Sequence, residues 1–149
     1  MTKPFSHEEF KRIYSQVPRL CVDLIIQVQG GIILTLRNLS SYKDLWHLPG
    51  GTVYYKETIE QAVNRVAQEE LHMSVKMVRT LGYMEFPSEE KERGFGWAVS
   101  IPIICTPLSV EFTVGEDASE AKVFTELPDA MIAEQKTFLS AHWAEIVSI

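Results

Sequence analysis

The feature that most constrains this chain is a glycine pair, Gly50-Gly51, that leads into a stretch with helical periodicity. Over residues 58–71 the apolar residues Ile59, Ala62, Val63, Val66, Ala67 and Leu71 recur at the spacing of one helix face. Thr58 is placed to cap that helix, and its polar side carries Arg65, Glu69 and Glu70. Such a helix needs a surface to cover its apolar stripe, and the flanking sequence offers strands. Residues 21–29 (CVDLIIQVQ) and 32–37 (IILTLR) read as a hairpin turning at Gly30-Gly31. Residues 75–86, 97–108 and 110–114 read as further strands, and 121–127 as a short one. Pro102 inside a strand pattern predicts a sheet edge or a bulge. Helices are predicted over 6–16, where Ser6 and Glu9 form a capping-box pattern before Pro18 ends the helix, and over 136–149. Residues 38–44 and the charged run 87–94 read as connections. With no repeat, low-complexity segment or linker, the pattern is one α+β domain over 1–149, a mixed β-sheet sandwiched between α-helices.

Charge narrows the partners. The chain carries a net charge of −6 and no Lys/Arg-rich run, which argues against nucleic acid, because phosphate backbones are held by clustered cations. A small phosphorylated ligand needs only one or two cations and a metal. No stretch approaches bilayer-spanning length, and the N-terminus has no apolar signal-peptide region. Cys21 and Cys105 lie in apolar strand-like runs and read as buried free thiols of a reducing compartment. These features predict a cytoplasmic protein with no membrane partner.

The chemistry concentrates at residues 51–73. Arg65 and Glu69 are four apart on one helix face and can pair. Glu69 and Glu70 are adjacent, and two carboxylates in one neighbourhood repel unless a cation lies between them. Hard oxygen donors select Mg²⁺ or Mn²⁺, commonly through few protein carboxylates plus substrate phosphates. The Gly-Gly loop lets backbone groups approach a metal or phosphate closely. Glu69 and Glu70 taken alone would read as a solvated acidic face; the surrounding spacing changes that.

The segment GTVYYKETIEQAVNRVAQEELHM (51–73) resembles the Nudix box, G-x5-E-x7-R-E-U-x-E-E-x-G-U, with U a bulky apolar residue. Gly51, Glu57, Arg65, Glu69, Glu70 and Met73 fit their positions, and Leu48-Pro49-Gly50 is similar to the family's usual entry. The resemblance implies the Nudix fold and a Mg²⁺- or Mn²⁺-dependent hydrolase of a small nucleotide substrate. It implies metal ligation by the Gly50 carbonyl with Glu69 and Glu70, carboxylates braced by Arg65, and structural roles for Gly51 and Glu57, the latter ordering the loop onto the helix. Phe5, Glu8, Phe10, Pro18, Asp23, Arg37 and Trp46 make the chain similar to the GDP-mannose mannosyl hydrolases and their Nudix relatives. That likeness implies substrate contacts by Asp23 and Arg37, a metal-ligating role for Asp117, attack at the sugar carbon and departure of the nucleoside diphosphate. It also implies a homodimer. An Asp among Cys21, Val22, Leu24 and Ile25 is costly unless paired or placed at a site, and an Arg fork suits a diphosphate.

Several positions depart from the pattern. Val66 stands where the Nudix box has a Glu; the mannosyl-hydrolase branch lacks that Glu too, so Val66 does not by itself mean a dead enzyme. His72 replaces the helix-ending Gly, Thr52 an Arg that assists the leaving diphosphate, and Ala118 the branch's His base. Glu116, Asp117 and Glu120 are then the nearest base candidates. Tyr83, Phe86 and Trp97 could stack on a ligand or pack a core, and residues 88–93 (SEEKER) read as a solvated loop or a lid. Three functions follow from these residues: hydrolysis of a GDP-mannose-like nucleotide sugar, a Nudix pyrophosphatase of nucleoside triphosphates or ADP-ribose, or an inactive Nudix module that binds a nucleotide or a protein.

Overall fold

A computed structural model describes residues 3–148. The first strand, β1 (Arg19–Val28), is buried along almost its whole length, as its apolar run, broken only at Asp23, requires of a strand covered on both faces. It pairs in parallel with β7 (Ala98–Pro107) on one side. On the other side its C-terminal end pairs with β2 (Gly31–Arg37) and its N-terminal end with β4 (Gly50–Thr52), both antiparallel. β2 continues outward to β3 (Trp46–His47) and to β8 (Ala118–Phe124). β7 continues to β5 (Val75–Thr80) and β6 (Met84–Phe86). The result is a mixed eight-stranded sheet, as expected.

Helices cover both faces. Val22, Leu24 and Ile26 of β1 point to one side, where they pack with Ala62, Val63, Val66 and Ala67 of α2 (Ile59–Leu71). Cys21 and Ile25 point to the other, toward Leu139 and Ile146 of α4 (Ala133–Val147). The period of two therefore sends Asp23, between Cys21 and Ile25, to the α4 face. Two short helices complete the chain: α1 (His7–Tyr14), with the expected Ser6–Glu9 capping box, and α3 (Ser88–Arg93). Among the described residues no helix is long and apolar enough to cross a membrane, and Cys21 and Cys105 are buried free thiols.

Four sequence expectations change. The strand expected over 75–86 is two, interrupted at Gly82, whose φ is 90°. Pro102 lies in an interior strand: it stands where the antiparallel neighbour of β7 passes from Thr80 of β5, opposite Ile103, to Met84 of β6, opposite Ser100. A residue without an N–H is tolerated at that break. Residues 110–114 form no strand, because their backbone serves a helix end: Thr113 N–H donates to Leu71 O and Gly115 N–H to Glu70 O. Residues 88–93 are a helix rather than a loop. Glu89 and Arg93, four apart, turn inward, and Glu89 is buried in an ion pair with Arg19. The last strand and last helix each begin three residues before their expected starts, and the expected final residue of that helix, Ile149, lies outside the described residues.

Candidate functional site

Arg65 is the hub of the loop–helix segment. Its Nε and Nη2 donate to the two oxygens of Glu57 at 2.7 and 2.9 Å, Nη1 donates to Glu69 Oε2 at 3.1 Å, and Nη2 also reaches the Thr52 carbonyl at 2.7 Å. The Tyr54 ring lies 3.8 Å from the guanidinium. Glu57 in turn accepts from Tyr54 N–H at 2.9 Å. A planar fork with five donors is the side chain that can hold a loop, a strand carbonyl and a second carboxylate together. Its hydrogen bonds, more than any other influence, hold the Glu57 carboxyl below the usual carboxylate range.

Among the described residues Glu70 has no such partner. Burial, then Asp117 and Glu69 beside it, push its carboxyl up to about 7, against the pull of Arg37 and Lys3. Asp117 reaches this place because residues 113–115 are bound to the end of α2. Gly115 passes so close to Glu69 O that a side chain there would collide with it. Arg37, at the end of β2, donates to Ser41 O at 2.7 Å and to Ser41 Oγ at 3.1 Å. Burial and Arg93 lower its pKa, while Asp117 and Glu70 hold it charged.

Asp23 lies opposite Gly50 in the β1–β4 pair. One of its oxygens, Oδ2, accepts from Ser100 Oγ at 2.6 Å. Burial raises its carboxyl to about 6, with Ser100 and Arg19 opposing. Every candidate residue, from Asp23 and Arg37 through Gly50, Gly51, Glu57, Arg65, Glu69 and Glu70 to Asp117, lines a single cavity of about 980 Å³. Chain segments nearly a hundred residues apart thus contribute to one place.

Among the described residues, no three His, Cys, Asp or Glu side chains stand so that they could hold a metal ion unaided. The donor set nevertheless fits a hard divalent cation. Glu70 is crowded by Asp117 and Glu69, and Mg²⁺ or Mn²⁺ completes a partial carboxylate shell with water and phosphate oxygens.

The sequence profile of the NUDIX domain matches residues 17–141. The chain belongs to the Nudix family. Within it, 78 residues are 40% identical to a low-salt glycan biosynthesis protein, Agl8, of Haloferax volcanii, covering 52% of this chain and 50% of that protein. Another 35% identity runs over 107 residues with an ADP-ribose pyrophosphatase of Methanocaldococcus jannaschii, 72% of this chain and 62% of that one. The chain thus spans between half and two thirds of these relatives. A crystal structure of a NUDIX hydrolase from Nitrosomonas europaea superposes with a TM-score of 0.74 at 21% identity, over 86% of this chain and 71% of that one, which shows the Nudix fold.

The positions that depart from the Nudix box, Val66 and His72, and from the mannosyl-hydrolase branch, Thr52 and Ala118, each have a defined structural setting. Val66 is in the α2-side core against Gly51 and does not line the cavity. His72 adopts the left-handed conformation that ends the helix, at φ 50° and ψ 39°, and its Nδ1 lies 2.9 Å from Thr113 Oγ1. Thr52 Oγ1 accepts from Arg19 Nη1 at 2.9 Å. Ala118 is buried beside Arg37 in the β2–β8 register. Of Glu116, Asp117 and Glu120, only Asp117 faces the cavity, as does Phe86 but neither Tyr83 nor Trp97.

Sequence reasoning missed a charged group on the cavity wall. Arg19, Glu89 and Arg93 form a buried group in which Arg19 pairs with Glu89 and Arg93 lies over the Phe10 ring. The only sequence signal for it was the i, i+4 spacing of Glu89 and Arg93 before Gly94, which closes α3 at φ 89°. Gln135 of α4 was missed as well, since a lone Gln in an amphipathic helix carries no signal.

Proposed function

We propose that this Nudix protein is a hydrolase of a nucleoside-diphosphate sugar, GDP-mannose-like in class, and that it works with Mg²⁺ or Mn²⁺. The observation that carries the reading is the meeting of Arg37, Glu70 and Asp117 in one cavity with the Arg65-braced Glu69. Arg37 supplies a half-buried cation for a diphosphate. Glu69, Glu70 and Asp117, with the Gly50 carbonyl, are the residues that would hold the metal. When bound, the metal neutralises charge on the departing diphosphate. Arg65 keeps Glu69 turned toward the site, and the buried walls exclude water that does not react.

Asp117 has a second role open to it. Of Glu116, Asp117 and Glu120 it alone lines the cavity, which supports it as the group that takes the proton of an attacking water. Asp117→Asn separates the two roles: loss of metal-induced stabilisation marks a ligand, and loss of kcat with that stabilisation intact marks a base.

The names of the two relatives, one a glycan biosynthesis protein and one an ADP-ribose pyrophosphatase, support a substrate in which a sugar is joined to a nucleoside diphosphate. They favour two bonds as the point of cleavage. A Mg²⁺-dependent screen of GDP-mannose, GDP-glucose, ADP-ribose and the common nucleoside triphosphates, in water labelled with heavy oxygen, decides between them. Label in the free sugar establishes attack at carbon. Label in phosphate establishes the pyrophosphatase. Binding without turnover would leave an inactive module. A cytoplasmic homodimer belongs to the same reading, and light scattering of the purified protein tests the dimer.

A further inference from the structure

We infer that Gln135, in the first turn of α4, reads the sugar of the substrate; this deepens the nucleoside-diphosphate sugar reading and rests on it. Gln135 is 3% exposed and lines the cavity from the α4 side. Its Oε1 accepts the Leu48 N–H at 2.8 Å. Because that backbone group can only donate, the amide is fixed with its oxygen toward Leu48 and its NH₂ turned away. Among the described residues, the NH₂ donates to no protein atom. A donor that the protein leaves unused on a cavity wall is open to an acceptor from outside.

Asp23 supplies the complementary group. It is 7% exposed and lines the same cavity. Ser100 occupies its Oδ2, while Oδ1 receives no hydrogen bond from the described residues. Donor and acceptor are set among the apolar side chains of Leu48, Phe86, Ala98 and Ile132, which also line the cavity.

A hydroxyl is the group that both donates to a carboxylate and accepts from an amide, and a sugar ring presents hydroxyls at its edge and C–H bonds on its faces. Asp23 disfavours a phosphate beside it. A nucleobase fits better against the aromatic side chains of the cavity wall, where Tyr55 is 90% exposed and Tyr54 stacks on Arg65. With the diphosphate at Arg37, the group that reaches Gln135 is the sugar.

The test uses Gln135→Glu, which keeps an acceptor for the Leu48 N–H but loses the NH₂, and Gln135→Met as a second variant. Titration calorimetry, with Ca²⁺ in place of Mg²⁺ to suppress turnover, compares GDP-mannose with GDP and ADP-ribose with ADP. Both variants are expected to weaken the preferred sugar nucleotide about tenfold, the worth of one buried hydrogen bond, and to leave GDP and ADP within about twofold. Equal weakening of all four ligands overturns the inference, because Gln135 then acts only through Leu48; unchanged affinity for the sugar nucleotides overturns it too. If the unaltered protein binds GDP-mannose and ADP-ribose no better than GDP and ADP, the substrate reading falls as well as the inference.

Discussion

Gly50 and Asp23 face each other across the β1–β4 pair, and the Asp23 carboxylate occupies the space that a side chain on Gly50 would need. The Val22 carbonyl closes the same space from behind, 2.7 Å from where a Cβ would lie. Gly50 is thus required by tight packing within this strand pair.

Gly50→Ala is therefore expected to cost about 1–3 kcal/mol, the usual range for overpacking. In a domain of this size that lowers Tm by several degrees. Differential scanning calorimetry checks it. An unchanged Tm would mean that Asp23 does not hold this position.

Arg65→Lys is expected to behave almost as badly as Arg65→Ala. An ammonium cannot make the two parallel bonds to Glu57 while also reaching Glu69 and the Thr52 carbonyl. Removing one partner of a buried ion pair costs roughly 3–5 kcal/mol. Urea unfolding measures this, and a Lys variant within about 1 kcal/mol of the parent would show that charge alone is enough.

Asp23→Asn is expected to stabilise the protein at neutral pH. The folded state raises the Asp23 pKa to about 6 from 3.8, so between these values the folded protein binds more protons than the unfolded one, and the carboxylate lowers stability as pH rises. The penalty is complete above pH 6 and absent below about 4; on this shift it is on the order of 3 kcal/mol. His47 works in the opposite sense. Burial lowers its pKa to about 4 from 6.5, so its contribution is lost as pH falls through that window. The two slopes offset each other in the parent, and thermal melts across pH 4–8 should reveal them separately in Asp23→Asn and His47→Gln.

Glu70→Gln is expected to abolish hydrolysis and to raise the Tm of the protein in chelator, since it removes a carboxylate crowded by Asp117 and Glu69. Mg²⁺ should raise the Tm of the parent, because a ligand bound only by the folded state stabilises it, but not that of the variant. Activity that survived the change would remove Glu70 from the mechanism.

Much of this was legible locally. The Nudix-box spacing, the α2 apolar stripe, the Ser6 and Thr58 caps and the β1–β2 hairpin are each written within a few residues, so periodicity and turn chemistry identify them. Even the left-handed turn at His72 follows from its place at the helix end. Residues 88–93 misled because alternating charge looks solvated when the inward-facing partner, Arg19, is seventy positions away. Residues 110–114 misled because their donors go to the carbonyls of α2 rather than to a neighbouring strand.

The sequence by itself determined which residues share the loop–helix segment: Arg65, Glu57, Glu69 and Glu70 are brought together by helical and loop spacing. Only the tertiary structure decided what surrounds them. Parallel pairing of β1 with β7 sets Ser100 beside Asp23, the docking of residues 113–115 on α2 brings Asp117 to Glu70, and α4 carries Gln135 to Leu48. Each of these contacts joins residues far apart in the chain, and no local preference encodes them. They exist because the two faces of one sheet must both be buried.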